Sequence, residues 1–163
     1  MLKDTLKEDF KTAMKAGDAT TKSTIALLLA AIKNRELDKR ARLAKSGTKE
    51  SDLDGASALT DEEVIEALGT EIKKRKESIT TFEQAGRAEL AASEKAELAV
   101  LSRYLPEQMS EDDVKRLIAD AIASTGASTP KEMGKVMGQV SPKTRGRFEG
   151  SRLAELVKQA LGA

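Results

Sequence analysis

The sequence predicts an all-α protein: an N-terminal antiparallel helical domain followed by a small C-terminal three-helix tail. Three observations carry this expectation. Apolar residues recur at three- and four-residue spacing, and no segment alternates in the manner of a strand. Aromatic residues make up only 2% of the 163 residues and valine is scarce, so strand-forming runs are missing. Helix-start signatures recur at Thr60-Asp-Glu-Glu63, Ser110-Glu-Asp-Asp113 and Thr129-Pro-Lys-Glu132.

Each element follows from local pattern. Leu2, Leu6, Phe10 and Met14 mark one face of a first helix, which Gly17 is placed to end. A second helix starts near residue 20, with Ile25, Leu28, Leu29 and Ile32 inward and a charged distal part. Residues 46–59 hold Gly47, Gly55 and three serines and are expected to form a mobile loop. Thr60 then caps a long helix with Ile65, Leu68, Ile72, Ile79 and Phe82 on its apolar side, ended by Ala85-Gly86. A fourth helix from about Ala88 buries Leu98, Leu101 and Leu105 and stops at Pro106, which lacks an N–H. In the tail, Ser110 caps a helix carrying Val114, Leu117, Ile118, Ala121 and Ile122, closed by Gly126. Thr129 opens the next, with Pro130 in its first turn and Met133, Val136, Met137 and Val140 inward. The last helix buries Leu153, Leu156, Val157 and Leu161, and Phe148 and Leu153 have the spacing of a hydrophobic staple around a cap at Glu149. The shift to shorter helices near Pro106 divides the chain into a helical domain over 1–106 and a tail domain over 107–163.

Composition narrows the chemistry. The chain has no cysteine and no histidine, which removes disulfides, thiolate metal sites and the commonest general base. No phosphate loop is present, and the carboxylates are spread along charged faces beside lysines, so no catalytic residue, metal or cofactor is implied. No apolar run approaches a membrane span, and the amphipathic, acidic N-terminus is unlike a signal peptide; a cytoplasmic setting is the expectation. The overall charge is only +1 at pH 7, so any polyanion contact must come from local clustering.

That clustering lies in the tail. Residues 130–163 hold seven cations and three anions, a surplus of four, which leaves residues 1–129 at −3. Lys143, Arg145 and Arg147 fall in a predicted turn before the last helix, with Gly146 among them, and Lys135 and Arg152 lie on the flanking helices. A helix start already favours an anion, and these cations add to it, making the turn a candidate phosphate contact. The bland alternative is a solubilising surface. Lys73-Lys-Arg-Lys76 lies mid-helix and points in four directions, so it reads as a solvated face. Arg35, Lys39 and Arg42 share a face and are a weaker RNA option. Gly134 and Gly138 read either as an approach for an RNA backbone or, the preferred reading, as a helix-packing surface. The four aromatic residues, Phe10, Phe82, Tyr104 and Phe148, are placed as core, so stacking on single strands is not expected.

Tyr104-Leu-Pro-Glu-Gln-Met109, Met133-Gly-Lys-Val-Met-Gly138 and Pro142-Lys-Thr-Arg-Gly-Arg147 resemble the GatB/YqeY family, as do Arg75-Lys-Glu-Ser78 and Ala85-Gly-Arg87 upstream. The resemblance covers nearly the whole chain; residues 46–59 look like an insertion. It implies a stand-alone YqeY-like protein whose tail is similar to that of GatB, a component of the aspartyl/glutamyl-tRNA amidotransferase in which the tail helps hold tRNA. Lys143, Arg145, Gly146 and Arg147 match the basic turn of that tail. Glu149 departs from the usual Asp or Asn, and its longer side chain is a poorer cap. The resemblance implies a tRNA-associated accessory protein binding through backbone and shape, without DNA specificity, in the company of amidotransferase or aminoacyl-tRNA machinery. Two alternatives stand beside it: a carbon–nitrogen ligase using glutamine as amido-N-donor with partner subunits, and a protein-interaction scaffold without RNA.

Overall fold

A computed structural model describes residues 1–162. Among them the chain forms eight α-helices and a single 3-10 turn, with no strand. Contacts divide it into two compact units, Met1–Tyr104 and a second from Leu105 onward.

The first unit comprises α1 (Leu2–Ala16), α2 (Ala19–Lys45), α3 (Glu50–Ser57), α4 (Asp61–Gln84) and α5 (Ala88–Ser102). Gly17 ends α1 at φ 71°, a conformation in which a side chain is strained, and the Asp18 carboxylate accepts from the Thr21 N–H to start α2. The unit is organised around α2, which packs against α1, α3, α4 and α5. Ile25, Leu28 and Ile32 of α2 are fully buried with Leu6, Val64, Leu68 and Leu101. The α1 stripe bends away from the expected line: Ala13 is buried and Met14 is 55% exposed. Four residues advance a helix by more than a full turn, so a strict every-fourth pattern drifts off one face.

Glu36 is, with Glu71, one of two buried glutamates of this unit. Its carboxylate accepts from Lys3 Nζ of α1 at 2.5 Å and from the Leu59 N–H at 3.3 Å. Burial pushes the carboxyl up, yet the Lys3 bond and the Leu59 N–H prevail and hold it below the usual carboxylate range. The α4 start forms as expected: Thr60 Oγ1 accepts from the Glu63 N–H and Glu63 reaches back to the Thr60 N–H. Lys39 then bridges α2 to Glu63 at 2.8 Å. Arg75 is tied between α4 and α5, with Nε 2.8 Å from Glu97, 3.4 Å from Glu94, and a longer contact to Glu71.

Two expectations for this unit are corrected. Residues 46–59 are not irregular loop throughout: they contain α3, whose Leu53 is 2% exposed, and Leu59 is buried beyond it. Arg40 of α2 pairs with Glu50 and Asp54, so one apolar anchor and two carboxylates fix a segment whose composition reads as a loop. Pro106 does not stop α5, which ends at Ser102 before Pro106 is reached.

The second unit holds α6 (Glu111–Thr125), a 3-10 turn (Pro130–Glu132), α7 (Met133–Thr144) and α8 (Gly150–Ala160). Ser110 caps α6 by accepting from the Asp113 N–H, and Gly126 ends it at φ 66°. Val114, Ile118, Val136, Val140, Leu153 and Val157 form the centre of its core, with Phe148 packed against them as the staple requires. The start of α7 differs from the expected capping box. Thr129 makes no cap bond; its hydroxyl and the Ser128 N–H both donate to Glu132, and Pro130 sits in the 3-10 turn.

Replacing Leu53 by Ala is expected to destabilise the protein by about 2–4 kcal/mol in urea unfolding, the cost of emptying a buried site; a loss under about 0.5 kcal/mol would restore the loop reading. Replacing Glu36 by Gln is expected to lower stability at pH 7 by about 1–3 kcal/mol through loss of the ion pair with Lys3. Because the folded carboxyl is held low, its contribution is present above the unfolded carboxylate pKa and fades as pH falls through the folded value. The gap between wild type and E36Q should therefore close in acid, as read by thermal melts from pH 7 to 3.

Candidate nucleic-acid interface

The basic segment of the tail is partly helix. The predicted turn around Pro142 is corrected: α7 runs through Pro142 and Lys143 to Thr144, and the turn proper is Arg145-Gly-Arg147. Helix continues because Thr144 is buried, with its hydroxyl donating to the Val140 carbonyl. Pro142 has no N–H to give the carbonyl of Gly138, four residues back, so that acceptor lacks its usual helical donor. Gly146 adopts φ 71°, which only glycine takes without strain, and its turn leads into α8. Glu149 stands at the α8 cap but makes no capping bond; its carboxylate accepts from Ser151 Oγ instead.

The predicted site residues separate into two sets. Lys135, Lys143 and Arg145 are exposed on or just beyond α7. Lys135 Nζ lies 3.1 Å from Glu132, whose carboxyl is held at about 2, first by the Ser128 N–H and then by Lys135. Arg147 is half-buried; its Nε–H donates to the Glu107 carbonyl at 3.0 Å, and its own carbonyl accepts from the Met109 N–H at 2.8 Å. Arg152 is engaged on α8. Its Nε and Nη2 donate to the two oxygens of Glu111, each at 3.1 Å, and Nη1 donates to Glu155 at 2.9 Å. Glu155 and Glu111 push the Arg152 pKa further up, and Glu111 is itself lowered, first by Lys115 and then by Arg152.

Gly134 and Gly138 do not pack a helix. Both are exposed, and a Cβ at either would meet nothing within 4 Å. The preferred packing reading is therefore replaced by a bare strip of α7 backbone with Lys135 beside it, while Lys143 stands on another side of the helix near its end. Sequence spacing cannot separate these readings, since both need small residues four apart.

The other clusters are engaged in part. Arg35 Nη2 donates to Thr70 Oγ1 at 2.8 Å and Lys39 pairs with Glu63, so two of the three cations sharing a face of α2 are held to α4, while Arg42 is exposed. In Lys73-Lys-Arg-Lys76, Arg75 is held by glutamates, Lys74 pairs with Glu71 at 2.7 Å and Lys73 approaches Glu77. Tyr104 donates to Asp9 at 2.7 Å, and burial followed by that carboxylate raises its pKa. Among the described residues no group of three or more potential ligands is arranged to hold a metal, and no helix is long and apolar enough to cross a membrane.

Comparison with known proteins gives a consistent kinship. A family described as "Yqey-like protein" matches residues 3–161. The curated relatives include "Altered inheritance of mitochondria protein 41, mitochondrial" of Eremothecium gossypii, 37% identical over 143 residues that cover 83% of this chain and 68% of the relative. The protein of that name from Saccharomyces cerevisiae is 30% identical over 145 residues, covering 85% and 70%. That from Candida glabrata is 29% identical over 139 residues, covering 83% and 69%. The expectation of a cytoplasmic setting is overturned by these names, which are those of mitochondrial proteins. With its fold helical throughout the described residues and the match running almost end to end, the chain belongs to the YqeY family.

Proposed function

We propose that this YqeY-family chain is a tRNA-associated accessory protein that holds RNA through α7 and the turn after it. One observation carries the reading: α7 presents bare backbone at Gly134 and Gly138 on an exposed surface, with Lys135 beside it and the exposed Lys143 and Arg145 at the end of the helix. Such a strip admits a sugar–phosphate backbone closer than any helix face with side chains. The Gly138 carbonyl, deprived of a donor by Pro142, is an acceptor for a ribose 2′-hydroxyl, which DNA lacks. The charge surplus of the tail and the resemblance of its basic turn to the tRNA-holding tail of GatB support the same partner. Arg152 is paired with two carboxylates and stands outside the contact surface. We further propose that the two units are separable domains with their boundary near Pro106.

A second reading has its own observation. The outer stripe of α2 is exposed and uncharged over Leu27, Ala30, Asn34, Leu37 and Ala41, in a chain that is 34% charged. This favours a protein contact on the first unit, and it is compatible with RNA on the tail.

Fluorescence anisotropy of labelled tRNA at several salt concentrations tests the RNA reading. The double variant K135A/K143A is expected to bind more weakly, with the log–log salt slope reduced by up to about two, while thermal unfolding stays within about 0.5 kcal/mol of wild type. G138A should stabilise the helix by about 1 kcal/mol and yet weaken binding, and a DNA copy of the RNA should bind less well. Equal affinities and slopes throughout would remove α7 from the reading; no binding at low salt would leave the α2 contact as the better account. For the domains, a fragment of residues 1–106 should unfold cooperatively in urea and the isolated tail should be less stable. A non-cooperative first fragment would refute separability.

A further inference from the structure

The segment Pro106-Glu-Gln-Met109 lies before α6, touches the core of the second unit only through Met109, and is bonded to the basic turn at three points. Gln108 Nε2 donates to the Gly146 carbonyl at 2.9 Å and to the Pro106 carbonyl at 2.8 Å, so both amide hydrogens are used, one within the segment and one across to the turn. The Arg147 Nε–H donates to the Glu107 carbonyl at 3.0 Å, and the Met109 N–H donates to the Arg147 carbonyl at 2.8 Å. The turn itself is held from the other side by the Arg147 and Phe148 N–H groups, both donating to the Thr144 carbonyl. Gly146, the residue at φ 71°, is thus gripped at its carbonyl, and Arg147 at its carbonyl and its Nε.

We infer that this strap, through Gln108 and the Glu107 carbonyl, is the positioning element that aims Arg147 at a phosphate. The inference rests on the RNA reading above and adds to it which residues shape the site without touching the ligand. A guanidinium anchored through Nε keeps its two terminal amino groups as a fixed fork, the geometry that binds a phosphate through two parallel bonds. Among the described residues Arg147 pairs with no carboxylate, in contrast to Arg152, whose fork is closed by Glu111. A free arginine would lose rotamer freedom on binding; the strap removes part of that cost beforehand. The residue type matters: lysine keeps the charge but has no Nε–H fork, and a side chain without an amide leaves the Gly146 carbonyl unheld.

The test uses the full chain and two variants, Q108M, which keeps length without a donor, and R147K, which keeps charge without the fork. Amide hydrogen exchange reads the strap directly. In Q108M exchange should quicken by at least roughly tenfold at Met109 and Arg147 and remain unchanged at Val114, Val136 and Val157. Binding to tRNA should weaken by roughly three- to tenfold in both variants with the salt slope equal to wild type, because no phosphate-neutralising charge is lost. Unchanged exchange in Q108M, or quickened exchange with wild-type affinity, would overturn the inference; so would wild-type affinity in R147K. If wild type binds no tRNA at low salt, the RNA reading fails, and an aiming role for the strap fails with it, whatever the exchange shows.

Discussion

The first unit depends on what happens to the negative charge of Glu36. A carboxylate at the centre of the longest helix, 7% exposed, is unfavourable unless its charge is met. Lys3 brings α1 to it, and the Leu59 N–H brings the connection between α3 and α4. Three stretches far apart in sequence are thereby fixed around one side chain, and the surrounding apolar residues then pack in a single register. The arrangement shows why α3 forms. Its Leu53 is a modest anchor alone, but Leu59 is already fixed by Glu36 at one end, and Arg40 gathers Glu50 and Asp54 along its length.

Much of the fold was legible in the sequence because helix starts and stops have local causes. Gly17, Thr60, Ala85-Gly86, Ser110 and Gly126 act as their residue types require, and the staple of Phe148 follows from spacing. The missed features have long-range causes. Nothing near residues 50–57 announces a helix, since its stabilising partners are Arg40 and the core. Pro142 reads as a break, yet it sits in the last turn of α7, where a proline removes one bond without ending the helix. The candidate site was half legible. Its cations were visible as a charge surplus, but which cations remain available is decided by Glu111, Glu132 and the Glu107 carbonyl, and only the folded chain brings these near.

The tail shows how a small unit leaves one side of a helix bare. Its core is drawn from one side of each helix, leaving the outer side of α7 free of packing duty. Glycines there weaken the helix, as does Pro142. These local losses lie on a surface that carries no core residue, and they coincide with exposed cations. A fold under selection for stability alone would place alanine at such positions.

The charge shifts described above share a direction with a consequence of its own. Glu36, Glu63, Glu111 and Glu132 are moved to lower pKa, while Tyr104 and Arg152 are moved higher, and the chain has no histidine or cysteine. Each of these side chains is carried away from neutrality. None of these six groups is therefore a proton switch in the range where physiological gradients operate. Acidification by a unit or so leaves these groups as they were. Ionic strength, which screens the exposed members of these pairs, acts on them instead.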